Sequence, residues 1–203
     1  PTGLPPDLPG QDFDGILTLH RLHDYLDLRR RLSEVEEAVV IGGGSHAVET
    51  VMGLLYWGIS VHWLIRSETF LPRMLDQHAS EMVLKGIRRA GAKISTKTEV
   101  LGIVGRVGAV AGVVTTQHQL LPCQLVLVCT GTAPVTTLAR HCDLPMKHQQ
   151  GILVDDQLRT SVRNIYAAGD VAALRDPLTG KYTPRAQWYA AVSQGRTVAT
   201  AMS

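Results

Sequence analysis

Apolar residues run unbroken from Ala38 to Ile41, and a second apolar run, with little interruption, spans Ile59 to Ile65. A strand without polar alternation suits a parallel sheet buried on both faces. Between the two runs, His46 to Tyr56 carries a helical pattern that ends near Trp57 and Gly58. Leu75 to Ala90 predicts a second helix, closed by Gly91 where a left-handed cap is favoured. Ala92 to Ser95 predicts a third strand. The order strand, helix, strand, helix, strand predicts an α/β fold built on a doubly wound parallel sheet. Ahead of it, a helix is expected from about His20 to Leu32, with Leu22, Tyr25, Leu26 and Leu28 partly on one face. The proline-rich stretch from Pro1 to Gly10 is expected to be irregular.

The pattern changes after residue 99. Val100 to Val104, Val110 to Thr116 and Leu125 to Val128 are short β-rich runs separated by glycine-rich or polar turns, which predicts a meander inserted before the last parallel strand. Gly131 to Pro134 breaks the chain. Gly151 to Val154 and Asn164 to Ala168 are expected as strands, with Gly169-Asp170 after the second. The tail from about Pro184 to Met202 predicts a helix with Pro184 near its start.

Composition narrows the function classes. At 45% hydrophobic and 19% charged residues the chain can bury a core and is not disordered. A net charge of +2 gives no case for nucleic acid, and Arg29, Arg30 and Arg31 read as a solvated helix end. No apolar stretch is long enough to span a bilayer. Cys123, Cys129 and Cys142 show no metal-ligand spacing and read as buried free thiols in a reducing compartment, taken as cytoplasmic.

The chemistry concentrates in "AVVIGGGSHAVETV". Gly42-x-Gly44-x-x-Ala47 lies between a buried strand and a helix. Gly42 permits the tight turn, Gly44 lets a pyrophosphate approach the backbone, and Ala47 lets helix and strand pack closely. The helix N-terminus adds unpaired N–H groups and a partial positive charge. At the end of the second strand, where an acid would bind an adenosine ribose, Arg66 stands instead. An arginine there suits a ribose 2′-phosphate, so NADP is expected over NAD, with Arg73 as a second charge. Glu68 is the residue that would serve NAD if the loop folds differently.

The runs "VVIGGGSHAVETVMGLL", "LIRSETFLPRMLD", "VLVCTGTAPV" and "GILVDDQLRTSVRNIYAAGDVA", in that order, resemble the pyridine nucleotide–disulfide oxidoreductase superfamily. The likeness is to flavoprotein reductases of the nitrite, ferredoxin and rubredoxin type. It implies two Rossmann-like domains, one for FAD and one for NAD(P)H, the second inserted in the first. Carried onto this chain, the resemblance gives the fingerprint to Gly42, Gly44 and Ala47 and places Glu49 near the nicotinamide. It gives Arg66 to the NADPH phosphate, and it makes Gly131 and Pro134 the return to the FAD domain. Gly169 and Asp170 fall in "AAGD", where the Asp hydrogen-bonds the FAD ribityl chain, and Gln187, Trp188 and Gly195 fall where the last helix nears the flavin. The implied division is 1–18 as an FAD-domain segment or connection, 19–135 as the NAD(P)-binding domain and 136–203 as the returning part of the FAD-binding domain.

The sequence departs from that pattern in two ways that shape the expectation. The N-terminal G-x-G-x-x-G that the resemblance implies is not found ahead of Gly42, and no redox C-x-x-x-x-C is present. The chain therefore reads as a fragment: a whole NAD(P) domain with part of an FAD domain. Two functional classes follow. One is an FAD-dependent oxidoreductase that passes hydride from NAD(P)H to flavin and electrons on to an acceptor protein or centre. The other is an NAD(P)-binding module without redox activity of its own, which would bind FAD weakly. Hydride transfer needs no side-chain acid or base, so no catalytic residue is named. The motifs leave the acceptor and the oligomeric state, a homo-oligomer included, open. A Rossmann methyltransferase or short-chain dehydrogenase leaves the late "YAAGDVA" unexplained.

Overall fold

The computed structural model describes residues 4, 5, 7–147 and 151–202. The chain divides into two compact units, Pro1–Gly131 and Thr132–Ser203.

The first unit is built on β1 (Ile16–Leu17), α1 (Leu22–Arg31), β2 (Glu37–Ile41), α2 (Ser45–Tyr56), β3 (Ser60–Ile65), α3 (Gln77–Arg89) and β4 (Lys93–Thr96). There follow β5 (Val100–Arg106), β6 (Ala109–Thr115), β7 (Leu120–Pro122) and β8 (Leu125–Val128). Five strands form one parallel sheet in the order β1-β8-β2-β3-β4. Successive side chains of a strand point to opposite faces, and the central strands β8, β2 and β3 are largely buried on both. Ala38, Val40, Val61, Trp63, Ile65, Leu125 and Leu127 join a core with Leu28 of α1, Val51 and Leu54 of α2 and Leu84 and Ile87 of α3. Val39, Ile41, Leu64, Val126 and Val128 join a second core with Ile103, Val110 and Val113. This double burial explains the unbroken apolar runs. The second face is covered by the antiparallel sheet β5-β6-β7, not by helices.

The meander differs from its expected form. Its third strand is β7, and Leu125–Val128 is the parallel strand β8, central in the main sheet. All four β8 residues are buried, as a strand covered on both faces requires, whereas β7 is an edge strand that tolerates Pro122. The initial segment is irregular where described, yet Leu8 is buried in the second core and Ile16 and Leu17 pair with Val126 and Leu127. The described residues up to Thr18 thus lie by contact in the first unit. Gly91 follows α3 with φ of 110°, the positive value expected for its cap.

The second unit holds α4 (Thr137–His141), β9 (Met146–Lys147), β10 (Gly151–Val154), β11 (Ala172–Arg175), β12 (Tyr182–Pro184) and α5 (Trp188–Met202). Its sheet runs β12-β11-β10-β9, with only β10 and β11 parallel. Ala139, Leu144, Ile152, Val154, Leu158, Ala167 and Ala172 form its core. The strand expected at Asn164–Ala168 is absent. That stretch makes one isolated bridge, Tyr166 with Arg159, and the strand begins at Ala172 instead. Asn164 has φ of 70°, a left-handed value that a continuous strand does not accommodate.

Cys123 and Cys129 are buried, and burial pushes the Cys123 thiol up to about 12. Cys142 departs from expectation: it is exposed at the end of α4, a five-residue helix that gives only Ala139 to the core. Thiolate is the reactive form, so burial silences the first two. A thiol reagent at pH 8 should label one cysteine of the native chain rapidly and the other two only after unfolding. Rapid labelling of all three would contradict this burial.

Candidate functional site

The turn from β2 to α2 sits at the carboxyl end of the parallel sheet. The order places β8 on one side of β2 and β3 on the other, the switch point where open α/β sheets form their ligand crevice. The turn is bound to both neighbours. The Gly42 N–H donates to the Leu64 carbonyl at 3.0 Å, and the Cys129 N–H donates to the Ile41 carbonyl at 2.7 Å. Gly42 has φ of 137°, and a Cβ on it would overlap the Cys129 carbonyl group. Only glycine fits that place. Gly44 differs. It is the α2 N-cap with φ of −100°, and a Cβ there would meet nothing within 4 Å. Ala47 is fully buried in the helix-side core, as close helix–strand packing requires.

The hydrogen bonding of the turn is one-sided. The Gly42 carbonyl accepts from the Trp63 indole N–H at 2.6 Å, and the Gly43 carbonyl accepts from the Leu71 N–H at 3.1 Å. The Gly44 carbonyl accepts from the Ala47 and Val48 N–H groups. The N–H groups of Gly43, Gly44, Ser45 and His46 have no acceptor among the described residues. Unpaired donors at a helix N-terminus make an anion-binding element.

Gly42 and Gly43 line a pocket of about 400 Å³ with Ile41, Leu64, Arg66, Thr98, Glu99, Val100 and Thr130. Arg66 follows β3 directly, is exposed, and has no ion pair among the described residues. Glu68 is engaged: its carboxylate meets the Lys97 ammonium at 2.9 Å, with both side chains about two-thirds exposed. Such a surface pair contributes at most about 1 kcal/mol. Arg73 is exposed in the loop before α3 and does not line this pocket. Glu49 does not line it either. It lies on α2 beside a separate groove of about 280 Å³ with His46, Thr50, Leu19, Leu28 and Trp57. Burial, then the neighbouring His20 ring, hold the His46 imidazole below its ordinary range, against an opposing pull from Glu49.

Gly131, with φ of 114°, is the last residue of the first unit. In the second unit Gly169 opens a short 3-10 turn with φ of 78°, and its N–H donates to the Gln194 side-chain oxygen at 2.6 Å. Asp170 follows, exposed, with no hydrogen-bond partner for its carboxylate among the described residues. Trp188, at the start of α5, is 79% exposed. Two supporting residues escaped the sequence reading. Gln194 is buried and holds the turn before Asp170. Trp63 is fully buried and holds Gly42. The signal for Trp63 was an indole inside an all-apolar strand, since a buried N–H needs a partner.

Gly42→Ala should lower stability by about 1–3 kcal/mol from backbone strain alone. Gly44→Ala, with allowed φ and open space, should lose no more than about 1 kcal/mol at the helix cap. Urea unfolding of both variants measures the difference, and equal losses would contradict the packing described.

Known proteins resemble this chain over nearly its whole length. The family described as pyridine nucleotide-disulphide oxidoreductase matches residues 2–195. An NADH oxidase of Methanocaldococcus jannaschii is 30% identical over 200 residues, 96% of this chain and 44% of its own length. A rubredoxin-NAD(+) reductase of Pseudomonas putida is 28% identical, over 95% of this chain and 50% of its own. A crystal structure of a ferredoxin reductase from Rhodopseudomonas palustris superposes with a TM-score of 0.89 at 28% identity, covering 97% of this chain and 48% of that one. The chain thus spans about half the length of these relatives. A match that runs almost end to end, over the glycine turn of the first unit and the Gly169-Asp170 turn of the second, makes this chain a member of the pyridine nucleotide-disulphide oxidoreductase family.

Proposed function

We propose that the chain is the nucleotide-handling part of an FAD-dependent NAD(P)H oxidoreductase, which passes reducing equivalents to a flavin and on to an acceptor protein or centre. The observation that carries this reading is the one-sided glycine turn, with its carbonyls taken internally and four consecutive N–H groups left for a phosphate. Gly42, Gly44 and Ala47 shape the turn, and the pyrophosphate meets the α2 N-terminus. Arg66, at the pocket and without an ion pair among the described residues, suits a ribose 2′-phosphate, with Arg73 a second cation in the adjoining loop. Glu68, paired with Lys97, is the acid that NAD would use instead. The relatives' names include both NADH- and NAD(P)H-dependent enzymes.

Glu49 is assigned to the nicotinamide side and Gly131 to the passage toward the FAD-binding part. In the second unit, the open Asp170 carboxylate is a hydrogen-bond acceptor of the kind a ribityl hydroxyl needs. Bound, the two cofactors supply the hydride chemistry, and the chain supplies orientation and electrostatics. The acceptor belongs to the class that relatives' names mention, such as rubredoxin. Unpaired cysteines suit a reducing, cytoplasmic setting.

Isothermal titration should find NADP+ bound more tightly than NAD+. Arg66→Ala should weaken NADP+ by about tenfold, the size of one charged hydrogen bond, and leave NAD+ within about twofold. Equal affinities in the unmutated chain would reject the NADP preference and point to Glu68. FAD titration separates the two functional classes: weak or absent binding, without visible flavin absorbance in the purified chain, marks an NAD(P)-binding module. Stoichiometric binding at low micromolar protein would show a flavin site complete in this chain.

A further inference from the structure

We infer that Trp63 is a positioning residue for dinucleotide binding, which sets the direction in which the glycine turn presents its N–H groups; this rests on the NAD(P) reading above. The peptide group is planar and trans, so its carbonyl and N–H point in opposite directions. In the peptide joining Gly42 to Gly43, the carbonyl is held by the Trp63 indole N–H at 2.6 Å. The Gly43 N–H is thereby aimed the other way. The next peptide is clamped likewise, its carbonyl accepting from the Leu71 N–H at 3.1 Å, which aims the Gly44 N–H. Glycines alone would leave both peptide planes free to rotate.

Trp63 is suited to this work by its own confinement. It is fully buried in β3, and its ring meets Phe70 edge-on at 5.4 Å between centroids. Phe70 is itself fixed, since its N–H donates to the buried Ser80 hydroxyl at 2.7 Å. The loop that supplies the Leu71 donor is thus packed, through Phe70, on the side chain that holds Gly42. One cluster orders both peptides before any ligand arrives, which lowers the ordering cost of binding.

Trp63→Phe keeps an aromatic ring against Phe70 and removes the donor. Calorimetric titration should use whichever of NADP+ and NAD+ binds the unmutated chain more tightly, alongside 2′-AMP, which carries no pyrophosphate. The variant should bind the dinucleotide about tenfold more weakly, while 2′-AMP changes by less than about twofold. Equal losses for both ligands would show a merely structural role, and no loss for the dinucleotide would overturn the inference outright. Failure of the unmutated chain to bind either dinucleotide would overturn the NAD(P) reading itself. Should Trp63→Phe not fold, the indole N–H signals of the unmutated chain give the answer. Trp57 and Trp188 are exposed, so Trp63 should supply the one slowly exchanging indole proton. Its resonance should move when the dinucleotide is added and stay in place with 2′-AMP. A rapidly exchanging third indole, or one indifferent to the dinucleotide, would overturn the inference.

Discussion

The close approach of Gly42 to the end of β8 is the constraint on which the first unit turns. Where β2 ends, its backbone is already bonded to β8 on one side and to β3 on the other. The chain must leave the sheet there without lifting either neighbour. A residue with no Cβ and φ of 137° does so against the Cys129 carbonyl, and α2 then starts over the sheet edge. Any side chain would push β2 from β8, and with it the shared core of Val40 and Leu127. The same geometry exposes donors at the switch point. Packing and binding therefore ask for the same residue for different reasons.

Much of this was legible in the sequence because it follows from burial. Runs such as Ala38–Ile41 have no polar face, and a strand between a helical layer and a second sheet needs none. The same rule, applied more strictly, identifies Leu125–Val128 as a main-sheet strand, since "LVLV" has no solvent face for a meander to show. The placing of Asn164–Ala168 failed for a different reason. From this irregular segment Ala167 enters the second unit's core, its N–H donating to the Leu158 carbonyl, while Ile165 stays exposed. Composition alone does not separate that from a strand. The candidate site was legible where it depends on local backbone, at Gly42, Gly44 and Gly169, and not where it depends on distant side chains. Nothing in the spacing of Trp63 or Gln194 tells that one holds Gly42 and the other Gly169.

The two turns resemble each other in physical design. Each has a glycine with positive φ at its start and a fixed backbone orientation. In each, a buried polar side chain from another element makes a hydrogen bond of 2.6 Å to that glycine's backbone. The bonded groups are opposite, however. Trp63 donates to a carbonyl, which leaves N–H groups outward and suits an anion. Gln194 accepts from an N–H, and the next residue, Asp170, has an exposed carboxylate, which suits a hydroxyl donor. A buried side chain costs its own desolvation unless it is satisfied, so each pair is held by a penalty on both partners. At the first turn the chemistry shown to solvent is thus decided from inside the fold, by which half of a backbone amide the buried partner takes; at the second the buried glutamine fixes the backbone that carries the exposed carboxylate.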